Sequence, residues 1–330
     1  MEFAKSMEWM WAEAEEEINC FITGLLPTGG LMVITGEPGV GKSWFAQQMG
    51  FELACGFRIL GLFAAIMCKV IYFELEMRSP IARKRFRLPQ WKEKYSSGKQ
   101  NMGHYDNAVI QFDNQRSIEN FKGIVTDFDA KVVIIDSYAM TLDDERDLKI
   151  QKQTIANYRA VAKEMKIGIL FIQHLIKRPK SYDNKVKQWT QPPLGLDDIR
   201  GSKFLQYEVD TGLGLTQPRK DVRELAVLKH RFSEVELSAE PPLELRWNPT
   251  SGSPLWPIEY RLPVIMKILD ERTSISFSEL ETILPNKENQ ETTGISRPTL
   301  RKDIDSLKDL GLVYIDEGGG KSNESVVHRI

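Results

Sequence analysis

Eight consecutive residues, Gly36-Glu37-Pro38-Gly39-Val40-Gly41-Lys42-Ser43, satisfy the spacing G-x-x-x-x-G-K-[ST] without a mismatch. Each position has a chemical use. The glycines let the backbone turn tightly and aim its N–H groups inward, so phosphate oxygens approach with no Cβ in the way. A helical pattern opens at Ser43 and Trp44 and adds its positive N-terminal end. Lys42 is long enough to reach β- and γ-phosphates, and the Ser43 hydroxyl is a ligand for Mg²⁺. Residues 36–44 are therefore expected to bind a nucleoside triphosphate, ATP, together with Mg²⁺.

Such a loop has to be held between a strand and a helix. Residues 31–35 are apolar and β-branched, as a short buried strand requires. After the loop, Phe45, Met49 and Leu53 recur at helical spacing, so one helix face packs on the sheet. A second strand is expected over 69–74, running into Glu74-Leu75-Glu76-Met77, and a weaker one over 108–112 before a helix at 117–127. Residues 131–137 (KVVIIDS) place four aliphatics before Asp136, the pattern of a strand buried on both faces. A carboxylate there lies at the carboxyl edge of the sheet, where open α/β sheets bind ligands, so Asp136 is the expected Mg²⁺ anchor. A helix over 148–165 returns the chain to a buried strand at 167–172, which delivers Gln173 and His174 to the same edge.

Residues 177–199 show no regular period and are too long for an ordinary connection. They carry Lys177, Arg178, Lys180, Lys185 and Lys187 with Tyr182 and Trp189 interleaved. Cations and aromatics on a loop suit a single-stranded nucleic acid, through phosphate pairing and base stacking; a solvated loop is the plain alternative. Strands at 208–215 and 224–229, joined by a turn at 218–221, bring Lys229 and Arg231 to one face if the strand continues that far. These two cations are either surface charge or a finger pointed at a neighbour's nucleotide. The basic stretch with Arg83, Lys84, Arg85 and Arg87 reads as a solvated helix face. A helix over 4–20, with Trp9, Met10 and Trp11, packs on its own domain or docks on a neighbouring subunit; its residues leave both open.

Composition narrows the class. A chain of 330 residues, 42% hydrophobic and 27% charged, suits about two soluble domains. The net charge of −2 excludes a global pull towards nucleic acid, so any such surface is a local patch. Cys20, Cys55 and Cys68 lack metal-ligand spacing, which fits a reducing compartment. The most apolar run, 59–68, is only about half the length that spans a bilayer. The N-terminal stretch is acidic rather than basic, so a cytoplasmic location with no membrane partner is expected.

Taken in order, these segments resemble the RecA-like ATPase core of the DnaB and plasmid RepA type of hexameric replicative helicase, over about residues 17–247. Residues 73–77 (FELEM) are similar to the family's second-strand motif, whose glutamate polarises the attacking water; the matching residue is Glu76. Ile134-Ile135-Asp136-Ser137 resembles the Walker B strand. Ile172-Gln173-His174-Leu175 resembles the γ-phosphate sensor, with His174 at the sensor position. Asp198-Ile199-Arg200-Gly201-Ser202 resembles the segment closing the DNA-binding pore loop, and Lys229-His230-Arg231 matches the K-x-R element that reaches the next subunit's phosphates. The resemblance implies a homo-oligomer, a hexamer in that family, with single-stranded DNA in its pore. His174 in place of Gln brings the chain nearer the RepA branch. With only some twenty residues ahead of the core, the primase-binding domain of replicative DnaB proteins is not expected.

Pro241, Pro242, Pro249, Pro254 and Pro257 with Gly252 mark an expected linker over 241–258, between an ATPase domain at 25–240 and a second domain at 259–330; residues 1–24 are the N-terminal helix and linker. The second domain reads as helices at 260–271, 276–284 and from Ser296, then strands at 312–316 and 325–330 around Gly318-Gly319-Gly320. Leu300, Ile304, Leu307 and Leu310 give the third helix one apolar stripe, Ser296 is its expected N-cap, and Gly311 stops it. This looks like a winged helix-turn-helix. Its recognition helix would present Arg297, Thr299, Arg301 and Lys302 to duplex DNA, with Lys321 in the wing. Asp303, Asp305 and Asp309 dilute that basic character, and a protein-docking use is the alternative.

The expected fold is thus α/β, a RecA-like P-loop core with a mainly parallel sheet plus a small winged-helix domain. The expected function is an ATP-hydrolysing oligomeric helicase or translocase in DNA replication or mobile-element maintenance. The alternative is a non-motor regulatory ATPase of recombination, partition or replication, because the same core also occurs in ATPases that assemble on DNA without unwinding it. A small-molecule P-loop kinase has no use for a K-x-R element or a winged helix.

Overall fold

Residues one apart on an extended chain face opposite ways, so a run of aliphatics makes a strand that needs cover on both sides. The computed structural model of the chain shows this cover in place. It describes residues 19–77, 79–106, 110–112, 114–144, 147–176, 181–183, 188–190, 194–200, 203–231, 242–246, 255–257, 261–285, 294–316 and 325–330.

The chain opens with β1 (Cys20–Ile22), β2 (Leu26–Pro27) and β3 (Leu31–Gly36), then α1 (Lys42–Cys55). It continues through β4 (Val70–Glu74), α2 (Ser79–Phe86), α3 (Pro89–Lys94), β5 (Met102–Asp106), α4 (Gln115–Phe128) and β6 (Val132–Asp136). Next come α5 (Leu148–Met165), β7 (Gly168–His174), the short pair β8 (Ser181–Asp183) and β9 (Gln188–Thr190), and α6 (Lys203–Glu208). The strands β10 (Thr211–Arg219), β11 (Val222–Lys229), β12 (Leu243–Arg246) and β13 (Trp256–Pro257) complete the sheet. A C-terminal unit follows: α7 (Arg261–Arg272), β14 (Ser274–Ser276), α8 (Phe277–Ile283), α9 (Arg297–Asp309), β15 (Val313–Asp316) and β16 (Val326–Arg329).

Nine strands form the central sheet in the order β13-β12-β11-β10-β3-β7-β6-β4-β5. The six from β10 to β5 run parallel, and β11, β12 and β13 add on antiparallel. The fold is α/β with a mostly parallel sheet, as expected. Met32 and Ile34 share a core with Phe45, Met49 and Leu53 of α1. Leu31 and Val33, turned the other way, join Ile118 and Phe121 of α4 and Ile155, Tyr158 and Val161 of α5. Asn114 caps α4 by accepting the Arg116 N–H, and Asp147 caps α5 by accepting from Lys149 and Ile150.

Several expectations need correction. The 108–112 strand does not form among the described residues there; the edge strand is Met102–Asp106 instead. An edge strand is bonded along one side only, so β5 tolerates Gly103, His104 and Asp106, which broke the apolar pattern. Glu208 ends α6 rather than starting a strand, and Cys20 lies in β1, whereas residues 1–18 of the expected N-terminal helix fall outside the described residues. The irregular loop holds a hairpin, with Tyr182 opposite Trp189 in β8 and β9.

The proline-rich segment expected as a linker carries β12 and β13, which extend the sheet. Leu243, Leu245 and Leu255 join the α1-side core to Leu262, Ile265, Leu300 and Ile304 of the C-terminal unit, so one apolar cluster runs through both. The Gln48 side chain, in α1, fastens the junction. Its Nε2 donates to the Leu255 carbonyl at 2.9 Å and its Oε1 accepts the Leu255 N–H at 2.7 Å. In the C-terminal unit β14-β16-β15 form an antiparallel sheet beside α7, α8 and α9. Ser296 accepts the Thr299 N–H, and Gly311, at φ +65°, follows the end of α9.

Candidate active site

Parallel strands deliver their last residues to one edge, and the residues singled out by type collect there. The phosphate loop leaves β3 at Gly36, where a Cβ would lie 2.4 Å from the Leu215 carbonyl oxygen of the neighbouring strand. It enters α1 at Gly41, whose φ of +108° only glycine adopts readily. Glu37, Pro38 and Gly39 form an exposed tip, and Val40 turns inward. Lys42 is buried and donates from Nζ to the Gly36 and Glu37 carbonyls, both at 3.0 Å. Burial pulls its pKa down, against the carboxylates of Asp136, Glu76 and Glu37. The Trp44 ring packs edge-on against Trp91 at 5.7 Å, with the Arg85 guanidinium 5.3 Å over it. Arg85 is thus packed on a ring rather than left on a purely solvated face.

Asp136 ends β6, buried, and accepts a hydrogen bond from the Tyr72 hydroxyl at 2.6 Å and another from Ser43. Burial raises its pKa, and these two donors oppose the rise. Glu74 ends the adjacent strand in register with Asp136. Its Oε1 accepts the Met77 N–H at 3.0 Å, while its buried Oε2 has no partner among the described residues. Burial and the neighbouring Asp136 push the Glu74 carboxyl up to about 7.

These groups fit Mg²⁺ with a nucleotide. A hydroxyl and a carboxylate already meet at Ser43 and Asp136, an orphaned carboxylate oxygen lies alongside, and the backbone cradle is open at Gly39, where an added Cβ would touch nothing within 4 Å. Among the described residues no three His, Cys, Asp or Glu side chains group into a metal cage. Mg²⁺ does not need one, since it is commonly held by one or two carboxylates plus substrate phosphates.

Glu76, just past β4, receives a hydrogen bond from the Ser137 hydroxyl and faces His174 Nε2 at 3.3 Å. The His174 contact, then Ser137, hold its carboxyl below the usual range despite partial burial. Beside His174, Gln173 is buried; its Nε2 donates to the Arg200 carbonyl at 2.9 Å. The Arg200 N–H donates to the His174 carbonyl at 2.8 Å, and Leu175 pairs with Ile199 as an isolated bridge. Both ends of the 176–199 segment are therefore clasped to the end of β7. Arg200 is placed by this clasp; Lys177, Arg178, Lys180, Lys185 and Lys187 lie outside the described residues.

Lys229 and Arg231 do not join this cluster. Lys229 ends β11 opposite Gly212, which is level with Val33, three residues short of Gly36. That is about 10 Å along a strand. Lys229 Nζ donates to the carbonyls of Gln206 at 2.6 Å and Tyr207 at 2.8 Å, and Arg231 donates to the Tyr207 carbonyl and lies 3.7 Å from Asp210. The strand stops at Lys229, and the two cations converge on the C-terminal end of α6 rather than on a hairpin tip. Burial, then Arg231, pulls the Lys229 pKa down to about 8.

In the C-terminal unit, Arg297 and Arg301 lie over the Phe277 ring at 5.5 and 5.8 Å. Each also has a carboxylate neighbour, Glu281 at 3.8 Å and Asp305 at 3.3 Å. Lys302 is exposed, and Asp303 is buried against Arg261, so its charge is neutralised internally rather than spread over the helix surface.

Three residues escaped the sequence reading. Tyr72 and Glu74 share a strand face with two-residue spacing, and that alternation could have pointed to them. Arg223 had no signal. It is buried, and its Nε donates to the Val40 carbonyl at 2.6 Å while Nη1 holds the Lys220 and Val222 carbonyls, pinning the phosphate loop to β11.

No curated protein matches the chain in sequence. Among solved structures, the ATPase domain of a DnaB-like helicase is similar in fold, at 17% identity and a TM-score of 0.52, with 77% of this chain and 96% of that one covered. A KaiC-like protein, PH0186 from the hyperthermophilic archaeon Pyrococcus horikoshii OT3, aligns at 18% identity and a TM-score of 0.49, over 72% of this chain and 94% of its own. Among the described residues no helix is long and apolar enough to cross a membrane. Residues 4–180 match the family profile AAA_25, and the chain belongs to that family of AAA domains, a P-loop ATPase with a RecA-like core.

Proposed function

We propose that this ATPase is an oligomeric DNA translocase or helicase, in which nucleotide sits between subunits and its cleavage moves a DNA-gripping loop. The observation that carries the reading is the clasp at the end of β7. His174 touches Glu76 on one side, while the adjacent Gln173 and the His174 backbone hold both ends of the 176–199 loop. Any shift of His174 on nucleotide turnover is passed to that loop through packed backbone, with no flexible link between.

ATP, when bound, supplies the γ-phosphoryl group, and Mg²⁺ the charge that offsets its oxygens. Ser43 and Asp136 are the metal-holding pair, and Lys42 leaves its two carbonyl partners for phosphate. Glu76, kept anionic by its donors, orients and deprotonates water. Lys229 and Arg231 sit back from their own phosphate loop, which supports a role on a neighbour's nucleotide. The helix and strand order of residues 261–330 supports a winged-helix appendage, with Lys302 among its exposed cations. The likeness to the helicase ATPase domain supports the fold of this reading, not its substrate.

A strand-displacement assay tests it. A labelled strand is released from a forked duplex only with hydrolysable ATP. Binding without release, under conditions where ATP is turned over, would leave the chain a non-motor DNA ATPase.

A further inference from the structure

A second cleft lies on the far flank of α1, between α2, α3 and β5. It encloses about 530 Å³, within the 300–1,000 Å³ typical of small-molecule sites. Phe51 lies eight residues along α1 from Ser43, about 12 Å of helix, and no residue of the phosphate loop lines the cleft.

Its lining has two kinds of chemistry. The floor is aromatic. Phe51 stacks on Tyr95 at 5.2 Å and meets Trp91 at 5.3 Å and Phe86 at 5.9 Å, and Phe86 meets His104 at 4.7 Å. Trp91 and Tyr95 are fully buried beneath, whereas Phe51 and Phe86 keep part of their surface open. The rim is cationic. Arg87, Lys92 and Lys99 are exposed, no carboxylate pairs with any of them among the described residues, and no acidic side chain lines the cleft. Three cations around one ring-floored hollow have no structural use for their charge. A bare phosphate would waste the rings, and an acidic peptide has no planar group to lay on them.

We propose that this cleft binds a nucleotide unit, its base against Phe51 and Phe86 and its phosphate held by Arg87, Lys92 and Lys99. The unit is either a free mononucleotide or one residue of a single strand; base and phosphate are common to both. The site is independent of how the phosphate loop is used.

The test uses the full chain with the phosphate loop saturated by a non-hydrolysable ATP analogue. The probes are a mononucleotide and a tetranucleotide, each containing 2-aminopurine, whose fluorescence is quenched on stacking. Quenching by either probe is expected, with affinity falling roughly tenfold or more in Lys92→Glu/Lys99→Glu, the range for removing a charge-assisted hydrogen bond. Both positions are exposed, so an unchanged melting temperature confirms that this variant folds. Quenching is also expected to survive Lys42→Ala, which separates the cleft from the phosphate loop. A response to the mononucleotide supports a free ligand, and one confined to the tetranucleotide supports a strand. No quenching with either probe, or quenching indifferent to the charge reversal, overturns the proposal.

Discussion

His174 and Glu76 are 98 residues apart in sequence, yet the imidazole Nε2 lies 3.3 Å from the Glu76 carboxylate across the ligand edge of the sheet. The contact is the leading reason that the Glu76 carboxyl stays below its usual range. A depressed pKa keeps the carboxylate ionised to lower pH, and activity is lost as pH falls through it. His174→Ala removes that donor, so the acid limb of ATP turnover should move to higher pH. Glu76→Gln should lower kcat by about 10²–10⁴ while ATP binding persists. An acid limb that stays put in His174→Ala would show that the imidazole does not set the state of Glu76.

Lys229 and Arg231 rest against the end of α6, about three strand residues short of their own phosphate loop. If they serve a neighbour, Arg231→Ala should cut turnover by about 10³–10⁵ without loss of ATP binding. A mixture sharpens the test. Lys42→Ala subunits retain the finger, and Arg231→Ala subunits retain the loop. Mixed, they should hydrolyse ATP faster than either alone, because some interfaces receive both intact halves. No gain on mixing, under conditions where the two variants co-assemble, would place the finger in its own site or nowhere.

Much of this site was legible because its chemistry is tied to strand ends. Gly36–Ser43, Asp136 and His174 each follow an aliphatic run, and a run of that kind has one place in a parallel sheet. The helix Leu148–Met165 was legible to the residue, since its apolar face repeats and Asp147 marks its start. What escaped has physical causes. The edge strand Met102–Asp106 needs little apolar cover, so its composition resembles a loop. The strands at Leu243–Arg246 and Trp256–Pro257 lie among prolines that suit an edge, and prolines read as linker. Arg223 is a surface residue by type, and only the folded chain reveals that it is buried beneath Val40.

Removing that guanidinium should loosen the loop. Arg223→Ala leaves the Val40 carbonyl without its donor, and a buried group stripped of a partner costs about 1–3 kcal/mol. A less ordered cradle also binds phosphate less tightly, so ATP affinity should fall along with the urea midpoint. Arg223→Lys, which cannot span three carbonyls at once, should recover only part of either. Unchanged affinity in the alanine variant would mean that the loop holds its shape without β11.

Glu52 carries the pH dependence of the fold. It is fully buried on α1, accepts hydrogen bonds from Gln48, the Leu60 N–H and Tyr95, and burial pushes its pKa up to about 7. The folded chain therefore holds this proton more tightly than the unfolded chain, where an ordinary carboxyl near 4.5 has already lost it. Its contribution is fully present below the unfolded value and is lost as pH rises to about 7, by roughly 2–4 kcal/mol. Urea unfolding at pH 5 and pH 8 should show that fall, and Glu52→Gln, which cannot ionise, should flatten it. A slope equal in both proteins would assign the pH dependence elsewhere.

The clasp at β7 makes the most demanding prediction. Gln173 and the His174 backbone grip both ends of the 176–199 loop, so cations within it are carried by the same strand that meets Glu76. If Lys185 and Lys187 hold a single strand, each phosphate left without its lysine should reduce the salt slope of binding by about 0.7. Replacing both with Ala should then flatten log K against log salt by up to about 1.4. Gln173→Ala makes a different prediction, because it leaves those cations in place and cuts only their attachment to the Arg200 carbonyl. Its salt slope should match the wild type, while stimulation of ATP turnover by single-stranded DNA is lost. A double lysine variant with an unchanged slope would remove the loop from the DNA. Undiminished stimulation in Gln173→Ala would break the link between gripping and cleavage that the clasp provides.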